Sequence, residues 1–291
     1  MSDSLRIGVV FPQTEIDSDR GAVREYVAAV SELGYSHIAV YDHVLGADPD
    51  VHHGWDRPYD INTTFLEPFV LFGYIAALSS LELVTSIVIL PQRQTALVAK
   101  QAATLDVLCE GRLRLGVGLG WNAVEYEALG EEFSNRGARV GEQVELLRKL
   151  WTQRSVTFHG DYHDVNGAGI APLPIQRPIP IWFGGNEKAA LQRIGRLADG
   201  WFPRKNPGPE LNAAIATVNE AAVAAGRDPS AIGIEGLINI ADVNDDTLAA
   251  KIAGWRDAGA SHLAINTMSA GFASTDAHVA ALARAASVAF A

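Results

Sequence analysis

The stretch LVTSIVIL at 83–90 is followed by ALVAKQAATLDVL at 96–108 and by RLRLGV at 112–117. The first and third segments are short, apolar and rich in branched side chains, as buried strands are. The segment between them has the length and spacing of a helix. This order predicts two parallel strands joined by a crossover helix.

The same alternation extends in both directions along the chain. Predicted strands lie at 6–11, 37–41, 83–90, 112–117, 179–183, 200–202, 232–238 and 262–265, and predicted helices include 22–33, 67–78, 96–108 and 137–152. Eight largely apolar strands with crossovers favour an α/β fold of the closed (β/α)8 TIM barrel type over an open doubly wound sheet. We therefore expect residues 1–291 to form a single barrel domain.

Two connections, at about 44–64 and 119–178, are too long for simple strand-to-helix loops. Both leave the C-terminal ends of predicted strands, and that face of a TIM barrel carries the active site. We expect these insertions to form lids or pocket walls.

Composition excludes several classes of protein. The net charge of -11 and the lack of a basic cluster argue against a nucleic-acid partner. Cys109 is the only cysteine, so no internal disulfide can form, and no signal-peptide pattern opens the chain. The apolar runs are too short to cross a membrane. These features predict a cytoplasmic protein.

Asp42 and His43 end the second predicted strand, where catalytic groups of barrel enzymes lie. An acid and an imidazole at this position suit proton transfer or cofactor contact. The alternative is structural, with Asp42 capping a turn and His43 bonded to a loop carbonyl.

Gly116, Gly118 and Gly120 alternate at the end of the fourth predicted strand. Missing side chains would let a planar ring approach the backbone, which indicates a cofactor face. Their spacing does not match the dinucleotide fingerprint Gly-x-Gly-x-x-Gly, so a Rossmann site is not expected.

Gly184, Gly185 and Asn186 follow the fifth predicted strand and lead directly into a helix from Glu187. Exposed amides and a helix N-terminus can hold a phosphate group. The alternative is an ordinary turn that uses glycine for its backbone angles.

The loop at 44–64 carries Trp55 and Tyr59, which are candidates for lining an apolar substrate pocket. Adjacent histidines at 52 and 53 rarely chelate one ion together, so no metal site is expected. Arg204 and Lys205 follow the sixth strand, where they could meet an anionic substrate, a cofactor tail or solvent.

Three sequence segments, which follow one another in the expected order along the chain, resemble the luciferase-like monooxygenase superfamily. They are TSIVILPQR at 85–93, LDVLCEGR at 105–112 and GVGLGW at 116–121. Asp42-His43, a set of residues in the second insertion and Trp182-Phe-Gly-Gly185 extend the resemblance over most of the chain. Within the superfamily, the sequence around Trp121 and Glu125 is similar to that of the actinobacterial F420-dependent oxidoreductases.

The resemblance implies a cofactor site. Ser86 and Ile87 match a non-prolyl cis peptide behind the central cofactor ring, and Asp42 and His43 would contact the deazaflavin near its reactive carbon. The remaining implied cofactor residues are Val88, Gly116, Val117, Gly118 and Trp121, with Gly184, Gly185 and Asn186 at the phosphate. Trp121 and Ala47 replace a Glu and a Trp of the family's sugar-phosphate dehydrogenases, so glucose-6-phosphate is not the expected substrate.

The working hypothesis is hydride transfer between coenzyme F420 and a small organic substrate, in either direction, with His43 handling the proton. Trp55, Tyr59, Trp121 and Arg204 are the predicted substrate pocket. An FMN-dependent monooxygenase using O2 and a non-catalytic flavin-binding or deazaflavin-binding protein are the alternatives. Relatives are commonly dimers, which predicts a homodimer.

Overall fold

The computed structural model describes residues 5–16, 18–241 and 243–291. The strands are β1 Arg6–Val10, β2 His37–Val40, β3 Glu82–Thr85, β4 Val88–Ile89, β5 Leu113–Gly118, β6 Val156–His159, β7 Asp164–Ala168, β8 Ile181–Gly184, β9 Gly200–Phe202, β10 Gly233–Asn239 and β11 His262–Asn266. The helices are α1 Arg20–Glu32, α2 Pro68–Ala76, α3 Thr95–Leu108, α4 Ala123–Ala128, α5 Arg136–Thr152, α6 Lys188–Leu197, α7 Pro209–Ala224, α8 Asp245–Asp257 and α9 Thr275–Ala289.

Eight parallel strands close into a barrel. Their order is β1, β2, β3, β5, β8, β9, β10 and β11, and β11 pairs with β1 to complete the circle. Strand β4 continues the path of β3 beyond residues 86 and 87 and pairs with β5. The predicted (β/α)8 barrel is confirmed.

All eight predicted barrel strands form, but the predicted strand at 83–90 is interrupted. The peptide bond between Ser86 and Ile87 is cis, as the family resemblance implied, and it separates β3 from β4. A 3-10 turn at Leu90–Gln92 then leads toward α3. This bulge occupies the C-terminal end of the barrel wall.

The two long connections lie between β2 and α2 and between β5 and β8. The second contains α4, α5 and the antiparallel pair β6–β7. Helix α5 is the usual crossover helix of its unit, so the added structure is α4 with the hairpin. None of the described helices is long and apolar enough to cross a bilayer.

A cluster of ionic side chains fills the N-terminal end of the barrel interior. This ion cluster consists of Arg6, His37, Glu82, Arg114, Glu235 and His262. Arg114 contacts Glu235 and, at 3.2 Å, Glu82. Burial opposes ionisation of Glu235, but Arg114 and His37 hold its pKa well below the ordinary value. Charges of opposite sign therefore face one another within the cluster, which offsets the cost of burying them.

Glycines make room for the large groups inside the barrel. An added Cβ at Gly8 would lie 2.4 Å from the His37 ring, and one at Gly200 would lie 2.1 Å from the Trp182 indole. Trp182 in turn stacks against Arg114, whose Cζ is 4.3 Å from a ring centroid. The lower barrel is thus a packed interior, and the accessible space lies at the other end.

Candidate active site

Asp42 follows β2 directly, but its carboxylate turns into the barrel wall. One oxygen accepts a hydrogen bond from Arg93 at 2.8 Å and the other from the Ile89 amide at 3.1 Å. Burial raises the pKa of Asp42, and the Arg93 guanidinium opposes that rise. Because both oxygens have protein donors, Asp42 joins β2 to the bulge, and a catalytic role for it stays a prediction.

His43 lies at the barrel mouth inside an aromatic cluster. The centroid of its ring is 5.1 Å from that of Tyr59, 5.0 Å from that of Phe65 and 5.4 Å from that of Trp121. Nδ1 faces Oε2 of Glu125 at 3.4 Å. Among the described residues, no group forms a hydrogen bond with Nε2. One ring nitrogen is therefore available to a bound molecule.

Glu125 comes from α4 and is fully buried beside His43. Its carboxylate accepts the amides of Val44 and Leu45 and the side-chain amide of Gln92. Burial raises the pKa of Glu125, but these donors and His43 together lower it by more, so the pKa lies below its ordinary value. The carboxylate is held ionised next to the imidazole.

A cavity of about 300 Å³ opens next to His43. Its walls are formed by residues 43–46, by Asn122 and by Tyr59, Asp60, Ile61, Thr63 and Phe65. The lining combines aromatic rings with a few polar groups, as ligand pockets do. Residues of the first insertion therefore form most of the wall of this cavity.

Of the predicted pocket residues, Tyr59 and Trp121 contact the His43 ring, and Trp55 packs against both of them. The rings of Trp55 and Trp121 are 5.9 Å apart, and Nε1 of Trp55 donates to the Tyr59 carbonyl at 3.0 Å. Only Tyr59 of the three lines the cavity itself. The two tryptophans form the layer behind it.

Arg204 and Lys205 have different surroundings. Lys205 forms a surface ion pair with Glu210 at 2.7 Å. Arg204 is exposed, and its positive charge acts on Tyr59, whose pKa burial raises and Arg204 lowers. Tyr41 responds in the same way. Arg204 is the cation of this pair that belongs to the mouth.

The alternating glycines in β5 and just after it have a packing reason. An added Cβ on each would lie 1.9 to 2.8 Å from the bulge strand, at the Thr85 carbonyl or the Ile87 or Ile89 side chain. The pairs are Gly116 with Thr85, Gly118 with Ile87 and Gly120 with Ile89. The space that we assigned to a cofactor ring is filled by the bulge itself, so contact of these glycines with a cofactor stays a prediction.

Three partly buried side chains form the floor of the mouth. Tyr41, Ile87 and Leu237 cover an apolar cluster in the upper barrel that includes Phe202 and Met268. Val88 and Val117, also predicted at the cofactor, are fully buried. A planar ring would therefore meet Ile87 and its neighbours, with Ser86 beside them.

The loop Gly184–Asn186 leads into α6. Gly185 has φ of 140°, and an added Cβ there would lie 2.8 Å from Cβ of Ala190. Asn186 accepts the Arg204 amide at 3.0 Å, and α6 begins without a side-chain cap. Among the described residues no side chain bonds its first amides, which are therefore suited to an anion, and the phosphate position at Gly184–Asn186 stays a prediction.

Residues of the site that the sequence did not reveal are Glu125 as a partner of His43, Gln92, Phe65 and Tyr41. Tyr41 precedes Asp42 at the same strand end, which was a usable signal. Across the described ranges, no group of three or more His, Cys, Asp or Glu is arranged to hold a metal ion.

The family model for luciferase-like monooxygenases matches residues 8–287. The chain belongs to this family. An uncharacterised Mycobacterium tuberculosis protein is 36% identical over 205 residues, which are 68% of this chain and 70% of that protein. The FMNH2-dependent dimethylsulfone monooxygenase of Pseudomonas putida is 32% identical over 179 residues, or 60% of this chain and 49% of that enzyme.

Solved structures of similar shape include members with different cofactors. An F420-dependent secondary alcohol dehydrogenase, in complex with an F420–acetone adduct, has a TM-score of 0.78 at 19% identity and covers 98% of this chain and 99% of its own. EDTA monooxygenase from Chelativorans has the same TM-score of 0.78 at 12% identity, covering 98% and 93%. At these identities the likeness establishes the luciferase-like fold alone.

Proposed function

We propose that the protein transfers a hydride between coenzyme F420 and a small organic substrate. The observation that carries the proposal is His43, an imidazole at the mouth with one nitrogen unpaired among the described residues and a cavity beside it. When a hydride joins or leaves the carbon of a C–O or C–N group, a proton joins or leaves the attached oxygen or nitrogen, and such an imidazole is suited to that proton transfer.

The surrounding residues suit a deazaflavin. Bound F420 would supply the carbon that gives or accepts the hydride. Ile87, Tyr41 and Leu237 present an apolar floor to its ring, while the uncapped start of α6 suits its phosphate. His43 would give or take the proton at Nε2, and the aromatic rings around it would keep water away.

A specific comparison favours a second candidate. The dimethylsulfone monooxygenase relative is FMNH2-dependent and more similar in sequence than the F420-dependent alcohol dehydrogenase. In an FMN-dependent monooxygenase the same enclosed pocket would protect an oxygen-reactive flavin from water.

Cofactor titration separates the candidates. We would titrate the purified protein with F420 and with FMN in one buffer and follow quenching of cofactor fluorescence. Selective F420 binding is expected. Selective FMN binding would favour the FMN-dependent monooxygenase over the F420-dependent enzyme. Binding of neither cofactor would contradict both proposed activities.

A glycine variant tests the phosphate position in the same assay. Gly185→Ala should weaken F420 binding about tenfold or more, because the added Cβ meets Ala190 and moves the loop. Gly226→Ala is the matched control, since Gly226 also has positive φ, at 71°, but has open space around it. Equal effects of the two substitutions would contradict the placement.

We also propose that the protein is a cytoplasmic homodimer. Helices α2 and α3 pack together and leave Val70, Leu97 and Leu108 exposed. Exposed apolar side chains on one helical face are typical of subunit interfaces. Sedimentation equilibrium should give twice the chain mass, and Leu108→Glu should shift the protein toward monomer.

A further inference from the structure

The carboxylate of Glu125 has an unusual number of donors for a group on a six-residue helix. Oε1 accepts the amides of Val44 and Leu45, the two residues that follow His43. Oε2 accepts Gln92 at 3.0 Å and faces Nδ1 of His43 at 3.4 Å. None of these groups comes from the helix that carries Glu125. The carboxylate therefore links its own helix, α4, to residues 43–45 and to the turn that contains Gln92.

The arrangement determines which nitrogen of His43 carries the proton. An ionised carboxylate can only accept hydrogen bonds, so the nitrogen that faces it favourably is one that bears hydrogen. Nδ1 faces Glu125 and therefore holds the proton in the neutral ring. Nε2 then carries the lone pair, on the side of the ring away from Glu125.

The same short helix also fixes the backbone on which His43 is mounted. Asn122 accepts the amides of Val124 and Glu125, which caps α4, and its Nδ2 donates to the Leu45 carbonyl at 3.3 Å. Glu125 binds the Leu45 amide from the same side. The backbone amide and the backbone carbonyl of Leu45 are thus both bound by α4 and its N-cap residue.

We propose that Glu125 is the positioning residue of His43, holding the ring in the tautomer with hydrogen on Nδ1 and fixing the segment that carries it. Glu125 does not touch the substrate and acts only through His43. The catalytic consequence rests on the proposed function, whereas the tautomer is a property of the protein alone. A carboxylate that orients a catalytic imidazole in this way is a recurring arrangement in enzymes.

The test compares Glu125→Gln with Glu127→Gln, an exposed glutamate on the same helix. Nitrogen NMR of protein with 15N-labelled histidine reports which ring nitrogen bears hydrogen, and His43→Asn assigns the His43 signals. We expect Nδ1–H in the wild type and in Glu127→Gln, and a mixture with Nε2–H in Glu125→Gln. An unchanged tautomer in a folded Glu125→Gln protein overturns the proposal.

Kinetics provide the second measurement. We expect kcat of Glu125→Gln to fall on the order of 10- to 100-fold, the loss typical when a group that orients an active imidazole is changed. The cofactor Kd should change less than about threefold, because Glu125 does not face the cofactor floor. A loss of cofactor binding without a loss of kcat would contradict positioning of His43.

The two proposals can fail separately. If the tautomer changes as expected but the wild type shows no turnover with F420, positioning is supported and the proposed function is wrong. If Glu125→Gln does not fold, Glu125→Asp replaces it, since it keeps the charge but draws the carboxylate back by one carbon. The Nδ1–H signal should then weaken, and full retention of it overturns the proposal.

Discussion

Two histidine–carboxylate pairs lie near opposite ends of strand β2. At the start of the strand, Nε2 of His37 is 3.1 Å from Glu235, and Nδ1 is 2.8 Å from Ser36 Oγ. Beyond its end, His43 has Glu125 at Nδ1 and no hydrogen-bond partner at Nε2 within the described chain. The same two residue types thus form a closed pair in the interior and an open pair at the mouth.

The difference shows where chemistry can occur. A buried imidazole whose nitrogens both have partners contributes to stability and cannot reach a ligand. An imidazole with one unpaired nitrogen beside a cavity can exchange a proton with a bound molecule. The number of satisfied ring nitrogens therefore distinguishes the two histidines, and the following predictions test that distinction.

The largest effect is expected at the closed end. Arg114→Met should lower the free energy of unfolding by about 3–5 kcal/mol, because Glu235 would remain buried without its main cation. Urea denaturation at pH 7 measures the loss. Lys149→Met is the control, since its exposed pair with Glu145 contributes about 1 kcal/mol or less. Similar losses in both variants would contradict the stabilising role of the ion cluster.

The largest effect on turnover is expected at the open end. His43→Ala should reduce kcat about 100- to 10,000-fold, as loss of a general acid or base does, with cofactor Kd changed less than about threefold. Steady-state kinetics and the fluorescence titration measure the two quantities. His53→Ala, in the same insertion but exposed, should behave as wild type. Unchanged turnover of His43→Ala would remove its proposed role.

Acid titration should reveal the ion cluster through His262. Burial and the Arg114 charge lower the pKa of His262 to about 2. Between the ordinary pKa of about 6.5 and this value, only the unfolded chain binds the proton, so stability falls as pH falls. From pH 7 to pH 5 the unfolding free energy should drop by about 2 kcal/mol from this group.

The comparison with His262→Gln isolates that contribution. The variant should show a shallower loss of stability over the same pH interval, with a remainder from His278, whose pKa burial also lowers. Below about pH 4.3 the unfolded chain also binds a proton at Glu235 while the folded chain keeps this group ionised, because its folded-state pKa is lowered, and stability decreases further in both proteins. Parallel curves from pH 7 to pH 5 would mean that the pKa of His262 is the same in the folded and the unfolded chain, which would contradict its lowered pKa.

The smallest effect is expected from His37→Gln. The amide can replace one bond to Glu235, so the unfolding free energy should fall by only about 1 kcal/mol. Activity per folded molecule should stay within about twofold, because His37 is fully buried at the far end of the barrel. A large loss of kcat in this variant would show that the two ends are coupled and that the distinction fails.

The sequence contained enough information for the barrel because burial on both faces makes parallel strands visibly apolar. It was insufficient for β6–β7, a hairpin whose second strand is mostly exposed and polar. Only the family resemblance predicted the cis peptide that interrupts 83–90. Neither Ser86 nor Ile87 is a residue type that normally ends a strand. A cis peptide bond between two such residues cannot be predicted from the local amino-acid composition.

The candidate site was predictable in part for the same physical reason. Position after β2 located His43 at the mouth, and the first insertion supplied the expected pocket wall. The contact of Glu125 with His43 depends on the path of the second insertion, which no local pattern specifies. The glycines at 116, 118 and 120 have a packing reason that the sequence alone did not show, because the Thr85 carbonyl and the Ile87 and Ile89 side chains lie where a Cβ would be, and their contact with a cofactor stays a prediction.

Most of the pocket wall belongs to one continuous piece of chain, from 46 to 65, with Gly46 packed directly on the Asp60 backbone. Within the first insertion, the hydrogen bonds to Asn122 and Glu125 come from residues 44 and 45. The backbone of the piece that shapes most of the cavity is thus held separately from the backbone that carries His43, and the two meet through the rings of Tyr59 and Phe65. Substitutions within 46–65 that keep these two rings would therefore change the pocket and leave the imidazole in place.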